Sequence, residues 1–547
     1  MKSLSRLLLL AAVACVSFSG INAQDKPEKN PLEGATLVVR IQSIDQLLTN
    51  AKYFAKLADK ENEGIQFIGF VESLISAKKG LAGIDTKSPI GLSVLLGSTA
   101  EDSKLVLMLP IADRDTLLDE LKTRLSIEAK KGEDGIYSVP VPNSPTGDAF
   151  VRFQGKYAFL TVLSRDTVAE KNLPKVEALL KGSPTSLLSV NANMKGVSPD
   201  LKKFAVAMIE EKMQAARNDL KKDPNKAAAA LGEKAIDVVL SAVKSVLMET
   251  GDVGMSFDVD AAKDEISLSA GMSGVENSQL AKDIASLTGK KSIGSLIADK
   301  DAIFSGSLNV GIPESIRKAL APVIEDGLKK AEQDAPAETR EIASKLLKAL
   351  APTLKSDAID GSFALIGPDK DKHMTLMVAG RVAKGKGIES AVKDVVGMLP
   401  GEFQKFFNLD ASKVGETQLH EIKASEFPEQ DEKFQKLFGK TSAWLAVTDD
   451  TFVLGLGSLA KESVGVALKK PTEAMPLAAF SMSVGKFAPL AEPEKAEKAA
   501  ELAKSVFMGG DDRIRMTVEG GSSLKFRFSM SGKVATFFAK MGEEAKK

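Results

Sequence analysis

The sequence predicts an α+β protein of antiparallel sheets and long amphipathic helices, set out as four pattern-related β-α-ββ-α units in two tandem halves. Three observations predict it. Hairpin arms recur in which apolar residues alternate with polar or small ones, the period of a strand with one wet face. Each such hairpin follows a lone strand and a long helical stretch. A second meander follows the first and third units only. With 547 residues, the chain is long enough to bury several cores.

Residues 1–23 precede the fold. Lys2 and Arg6 supply the positive end, Leu7 to Phe18 an apolar run of about twelve residues, and Ser19, Gly20 and Asn22 a polar exit; the segment resembles a bacterial secretory signal peptide cut between Ala23 and Gln24. A second reading takes Ala12-Val13-Ala14-Cys15 as a lipoprotein box with Cys15 lipidated. Ala12 stands where Leu or Val is usual, so the sequence favours the unlipidated form, although Ile21 is large for its place before the cut. Residues 24–34 carry no core pattern and read as a flexible N-terminal segment.

The first half spans 35–291. Its first unit, near 35–130, has a strand at Leu37 to Ile41, a helix start at Ser43 with Gln46, alternating arms at Ile90/Leu92/Val94/Leu96 and Leu105/Leu107/Leu109/Ile111, and a helix from Asp113. A meander over 135–170 follows, with strands at Ile136 to Val139, Ala149 to Phe153 and Lys156 to Leu163. The second unit, near 186–290, opens at Leu187 to Asn191. Ser198 caps a helix with Pro199 at its first position, and Ile236, Val239, Leu240, Val243 and Val246 keep one buried face. Its hairpin runs through Val253/Met255/Phe257/Val259 and Ile266/Leu268/Ala270, before a helix near Gln279.

Ser292 to Lys300 reads as the linker to the second half, 300–545. The third unit, near 300–400, has a strand at Ile303 to Val310, arms at Gly361/Phe363/Leu365 and Met374/Leu376/Val378, and a helix from about Gly387. The meander 416–457 has strands at Thr417 to Ile422, Ala443 to Val447 and Thr451 to Leu456. The fourth unit, near 476–545, has a strand at Ala478 to Val484, then Ile514/Met516/Val518 and Leu524/Phe526/Phe528/Met530, then a helix over Val534 to Met541. Pro140 to Gly147 and Lys469 to Pro476 read as loops.

Composition removes several functions. Lys and Arg total 73, as do Asp and Glu, and a chain without basic excess lacks the charge that displaces phosphate counterions, so no nucleic-acid partner is expected. Cleavage after Ala23 takes away Lys2, Arg6 and the single Cys, leaving a formal charge of −2. A cysteine-free mature chain has no disulfide, no thiolate nucleophile and no Cys-ligated metal. No later uninterrupted apolar run of about twenty residues offers a transmembrane segment.

A motif search yields no catalytic, cofactor-binding or metal-ligating residue. His373, beside the charged turn Asp369 to Lys372, and His420, on the polar side of an alternating strand, both read as surface residues. No Gly-x-Ser-x-Gly elbow or His-Glu-x-x-His helix accompanies them. Gly439-Lys440-Thr441 has Phe434 where a phosphate-binding loop needs Gly, and it follows a helix rather than a strand, so Gly439 reads as a helix stop. Ser-x-x-Lys at Ser76/Lys79, Ser241/Lys244, Ser390/Lys393, Ser458/Lys461 and Ser483/Lys486 is too frequent to mark a nucleophile. Asp258, Asp260, Asp264 and Glu265, and Asp369 with Asp371, read as solubilising turns rather than calcium loops. Trp444 reads as half-buried packing.

Two function classes follow. The first is an exported, non-catalytic protein of the periplasm or cell envelope that presents a binding or structural surface. Faces such as Met255/Phe257, Phe526/Phe528/Met530 and Phe537/Phe538 suit an apolar ligand, a lipid or an envelope protein, though sheet packing already explains them. The second is a secreted or periplasmic hydrolase working through carboxylates or a Ser/Lys pair. The sequence favours the first. Its leader, absent cysteines and ββα units resemble the large uncharacterised α+β proteins exported by bacteria, a resemblance of architecture that implies no functional residues.

Overall fold

The structure is a computed structural model. It describes residues 34–544 except 60–65, 67–68, 70–81, 98–101, 142–145, 223–225, 288–289, 300, 313, 338, 427–431, 471 and 491–492. The cut between Ala23 and Gln24, Cys15, and the Ser76/Lys79 pair lie outside the described residues.

Strands β1 (Leu37–Ile41), β2 (Ile90–Leu95), β3 (Lys104–Pro110), β4 (Lys130–Lys131), β5 (Tyr137–Pro140), β6 (Asp148–Gln154), β7 (Tyr157–Thr161), β8 (Ser186–Asn193), β9 (Thr250–Asp260) and β10 (Glu265–Gly274) come first. After β11 (Lys291–Ser292) follow β12 (Phe304–Gly311), β13 (Ala358–Ile366), β14 (Thr375–Arg381), β15 (Phe407–Val414), β16 (Thr417–Ile422), β17 (Ala443–Val447) and β18 (Thr451–Gly457). The last are β19 (Glu473–Ala474), β20 (Ala478–Ser483), β21 (Arg513–Glu519) and β22 (Leu524–Ser531). The result is a mixed α+β fold.

One open antiparallel sheet of 20 strands holds all but β11 and β19, which pair with each other. Its order through β10 is β4-β5-β6-β7-β3-β2-β1-β8-β9-β10. Read inward from the other edge, it is β15-β16-β17-β18-β14-β13-β12-β20-β21-β22. The two runs meet where β10 pairs β22 from Glu265↔Ser531 to Met272↔Leu524.

Backbone hydrogen bonds set the correspondence between the runs. Thr36 N donates to Val94 O and Thr36 O accepts from Asn193 N, while Ile303 N donates to Leu365 O and Ile303 O accepts from Ser483 N. Gln42 N bonds Leu187 O as Asn309 N bonds Leu477 O. Side chains follow suit: Asn193 Oδ1 accepts from Lys195 N at 3.1 Å and Ser483 Oγ from Lys486 N at 3.1 Å. These matches place Arg40 of β1 opposite Ser307 of β12 in the comparison.

Helices form where the caps predict. Ser43 accepts from Gln46 N at the head of Ile44–Leu57, and Ser198 from Leu201 N at the head of Pro199–Lys221 with Pro at its first turn. Gly439, at φ 71°, ends helix Glu432–Phe438. Cores form on both sheet faces. Val38, Val106 and Met108 pack with Val168, Leu179 and Leu180, and Met377, Ala379 and Val453 pack with Val464 and Ala467. Val484, Ala499, Ala503, Val534 and Phe537 form a further core.

Two expectations change. The stretch read as a linker is core: Ser292 is fully buried, and Ile293, Leu296 and Ile297 pack against Met377 and Leu419. Its Ser and Gly residues serve a tight 3-10 turn, Ile293–Leu296, rather than a flexible connection. The second meander also has one strand more than its pattern suggested, since β15 breaks alternation with a register shift between Asn408 and Ser412.

Candidate functional site: a cleft over strands 12, 20 and 21

The cleft begins with a serine. Ser305 and Ser307 of β12, Ser362 of β13 and Ser481 of β20 share one sheet face, because Ser305 pairs Ser481 and Ser307 pairs Ser362. Arg515 of β21 lies opposite Ser481 on that face, and Arg513 opposite Ser483. Such small side chains cannot fill the space above the sheet. A cavity of about 780 Å3 stands there, with these serines and arginines lining its floor and Gly294, Ile297, Ala298, Asp299, Lys470, Glu473 and Met475 among its walls.

Buried bonds hold the walls. The Asp360 side chain, fully buried, accepts from Ser292 Oγ at 2.6 Å, Ile293 N at 3.0 Å and Arg381 Nη2 at 2.9 Å. This pins the 3-10 turn to β13. Ser362 Oγ donates to Gly294 O, and Ser295 Oγ accepts from Glu473 N. The ladder of β11 and β19 then ties the two wall segments together. Behind residues 297–299 lies a second cavity of about 570 Å3, lined by Leu296, Ile366, Met377, Leu459 and Val466 among others.

On the floor, Arg513 Nη1 donates to Ser481 Oγ at 3.1 Å and Nη2 to Ala302 O at 2.9 Å. Arg515 is forked onto Asp511 at 2.6 and 3.1 Å, and that hydrogen bond raises its pKa further above the ordinary arginine value. Ser307 Oγ is buried and makes no hydrogen bond.

The matching place in the first half is closed. Arg40, 8% exposed, fills it and donates from Nε to Leu180 O at 2.9 Å and from Nη1 to Ser186 O at 3.1 Å. Burial lowers its pKa, opposed by nearby charges including Asp258. Gly182 permits this closure, since a Cβ there would lie 3.2 Å from Arg40 Nε.

A second cluster surrounds His420, which the structure places in the interior at 1% exposure rather than at the surface. Alternation misled because the β15 and β16 hairpin is covered on that side by helix Gly385–Met398. Asp410 N donates to His420 Nδ1 at 3.1 Å, Glu389 Oε1 lies 3.3 Å from Nε2, and Lys393 Nζ stands 2.8 Å from both the Glu389 and Asp410 carboxylates. Glu389, Asp410 and His420 are close enough together to suggest a metal centre. Their chemistry opposes one: an Nδ1 that accepts an N–H leaves the ring proton on Nε2, so neither nitrogen has a lone pair for an ion. Lys393 already bridges the two acids.

The remaining sequence candidates are dispersed. His373 is half-buried with its ring beneath Gly439. Where Ser-x-x-Lys pairs are described, the lysines turn to other partners: Lys244 to Glu210, Lys393 to its two acids, Lys461 to the Trp444 ring at 4.7 Å, and Lys486 to Asp301 O. Ser458 and Ser483 bond Asp369 and Asp512. Asp258 is buried and accepts from Ser256 Oγ rather than solubilising a turn, and Asp264 accepts from Tyr53 Oη and Lys533 N. Among the apolar faces, Phe537 is core, while Met255 and Phe538 are exposed.

Sequence reasoning missed the cleft because alternating serines look like any wet strand face. A signal existed in the Arg40 and Ser307 difference, visible only once the strands are aligned by their hydrogen bonds. Among the described residues no helix is long and apolar enough to cross a membrane. A scan against protein-family models, a search of curated proteins and a search of solved structures each find no match to this chain.

Proposed function

We propose that this is an exported, non-catalytic binding protein of the periplasm or cell envelope, made of two copies of one ten-strand unit. The first copy is filled by Arg40, and the second carries the cleft over β12, β20 and β21. The cleft carries this reading: it is concave, largely walled by carbon, and has a few convergent polar groups, the usual make-up of a small-molecule site. Among the described residues no histidine joins the serines and acids that line it, which favours binding over hydrolysis by a Ser-His-acid set. The leader supports export.

N-terminal sequencing of the protein from its native envelope fraction should begin at Gln24, and native mass spectrometry of that material should show a non-covalent small-molecule adduct. An intact Met1 in cytosolic protein with no adduct would overturn the proposal.

A further inference from the structure

At the edge of the sheet, a side chain takes the place of a strand partner. Between the pairs Asn408↔Glu421 and Ser412↔Leu419, the β15 residues Leu409, Asp410 and Ala411 stand opposite His420 alone. The imidazole Nδ1 accepts the Asp410 N–H at 3.1 Å. Asp410 itself holds φ 55°, a left-handed conformation uncommon for a residue with a Cβ.

That bond exists in one protonation state only. A ring nitrogen that accepts an N–H carries no proton, so His420 is neutral with its proton on Nε2. A second proton has to enter at Nδ1, which turns the acceptor into a donor and sets two N–H groups against each other.

The surroundings offer the charged ring a replacement partner. The ring is 1% exposed. Glu389 Oε1 lies 3.3 Å from Nε2, which forms no hydrogen bond, and Asp410 Oδ1 lies 3.7 Å from Nδ1. Lys393, one turn from Glu389 on helix Gly385–Met398, bonds both acids. The other neighbours bring no further charge to the ring: β17 sets Leu445 opposite it, and Glu421, next along β16, turns to Asn408 and Ser442. The pocket thus sets two carboxylates against one ammonium, and a proton on the ring balances them. Asp410, whose carboxylate reaches solvent, gives that proton its way in.

We propose that His420 is a proton-operated latch on the edge strand. Neutral, it holds the break in β15 through the Asp410 amide; charged by a proton from water, it releases the amide and takes the Asp410 carboxylate from Lys393. The guard that a broken strand gives a sheet edge is then sensitive to mild acid, in the range where imidazoles titrate. The latch stands apart from the cleft and does not depend on it.

Histidine-selective 15N NMR and amide exchange on the full mature protein test the latch between about pH 8 and pH 5. The chain has only His373 and His420, and His373→Gln assigns the two rings. At the upper pH the His420 ring is expected to carry its proton on Nε2 alone. On acidification it should gain the Nδ1 proton. With the same midpoint, Asp410 protection, taken against the intrinsic exchange rate at each pH, should fall at least tenfold while Val453 of β18 stays protected. His420→Asn places an amide oxygen where Nδ1 stands, an acceptor that takes no proton, and is expected to keep Asp410 protected throughout. Lys393→Gln should raise the midpoint and Glu389→Gln lower it, and these two variants decide the matter if His420→Asn does not fold. Protection that stays level while the ring titrates overturns the proposal. So does a ring that keeps a single proton throughout, or a His420→Asn variant that retains the wild-type step.

Discussion

Asp252 and Arg513 stand at matching places, each opposite the last residue of its neighbouring strand, Asn193 and Ser483. Where Arg513 opens on a cavity, Asp252 is enclosed, and its Oδ1 makes no hydrogen bond. Burial raises the Asp252 pKa, with Lys195 and Ser273 working the other way. A raised carboxyl contributes stability that is full below the ordinary value of about 4 and is lost as pH rises through the folded value. Asp252→Asn should therefore raise the urea midpoint at pH 7 and give no gain near pH 4; equal gains at both would refute this. Asp134 behaves oppositely. The Arg165 side chain and the Ile136 amide hold its pKa well below the carboxylate range, so its contribution is present above the unfolded value and fades as pH falls through the folded one. Arg165→Gln should move the Asp134 carboxyl resonance back toward ordinary titration in NMR, with little change in stability because the pair is exposed. Neither environment was legible in the sequence, where Asp252 and Asp134 are ordinary acids near strand and turn.

At the scale of elements, the sequence was more informative. The β1 and β17 bounds follow directly from alternation, and Ser43, Ser198 and Gly439 mark their helix ends because caps are local chemistry. What stayed hidden depends on distant chain. The 3-10 turn after Ser292 is fixed by Asp360, 68 residues away, and β15 is fixed by His420. Asp410, at φ 55°, sits in the irregular part of that edge strand, and edges of this kind resist pairing with other chains. The opposite edge is protected by brevity and charge, being only Lys130–Lys131. His420→Ala removes the acceptor for Asp410 N–H and should cost about 1–3 kcal/mol, with faster amide exchange at Asp410 than in the rest of β15. Unchanged exchange would show that the imidazole does not hold the strand. Where β10 meets β22, Arg527 pairs with Glu265. Arg527→Glu should lower stability by about 1 kcal/mol at low salt, with recovery on adding Glu265→Arg.

Across the whole molecule, the sheet runs unbroken from β4 to β15, and the turn between β9 and β10 is tied to both chain ends. Asp264 accepts from Tyr53 in the first helix and from Lys533 at the start of the last. A junction of eight residue pairs together with these ties should make the described fold unfold as one cooperative unit. Differential scanning calorimetry is expected to give a single transition, and two separated transitions would show that the halves melt independently.

The junction has a property that its register alone reveals. In the hydrogen-bond correspondence between the runs, Ser269 of β10 matches Arg527 of β22, and these two residues face each other. Ser267 meets Ser529, and their counterparts Lys525 and Gly271 also meet. An approximate two-fold axis therefore passes between Ser269 and Arg527, as it would between the edge strands of an isologous dimer. In their pairing register, the two runs are related as the partners of such a dimer would be. An ordinary homodimer must build both subunits from one sequence, so any opened site appears twice; two runs within one chain carry no such constraint, and here Arg40 fills the one place while a cavity stands at the other.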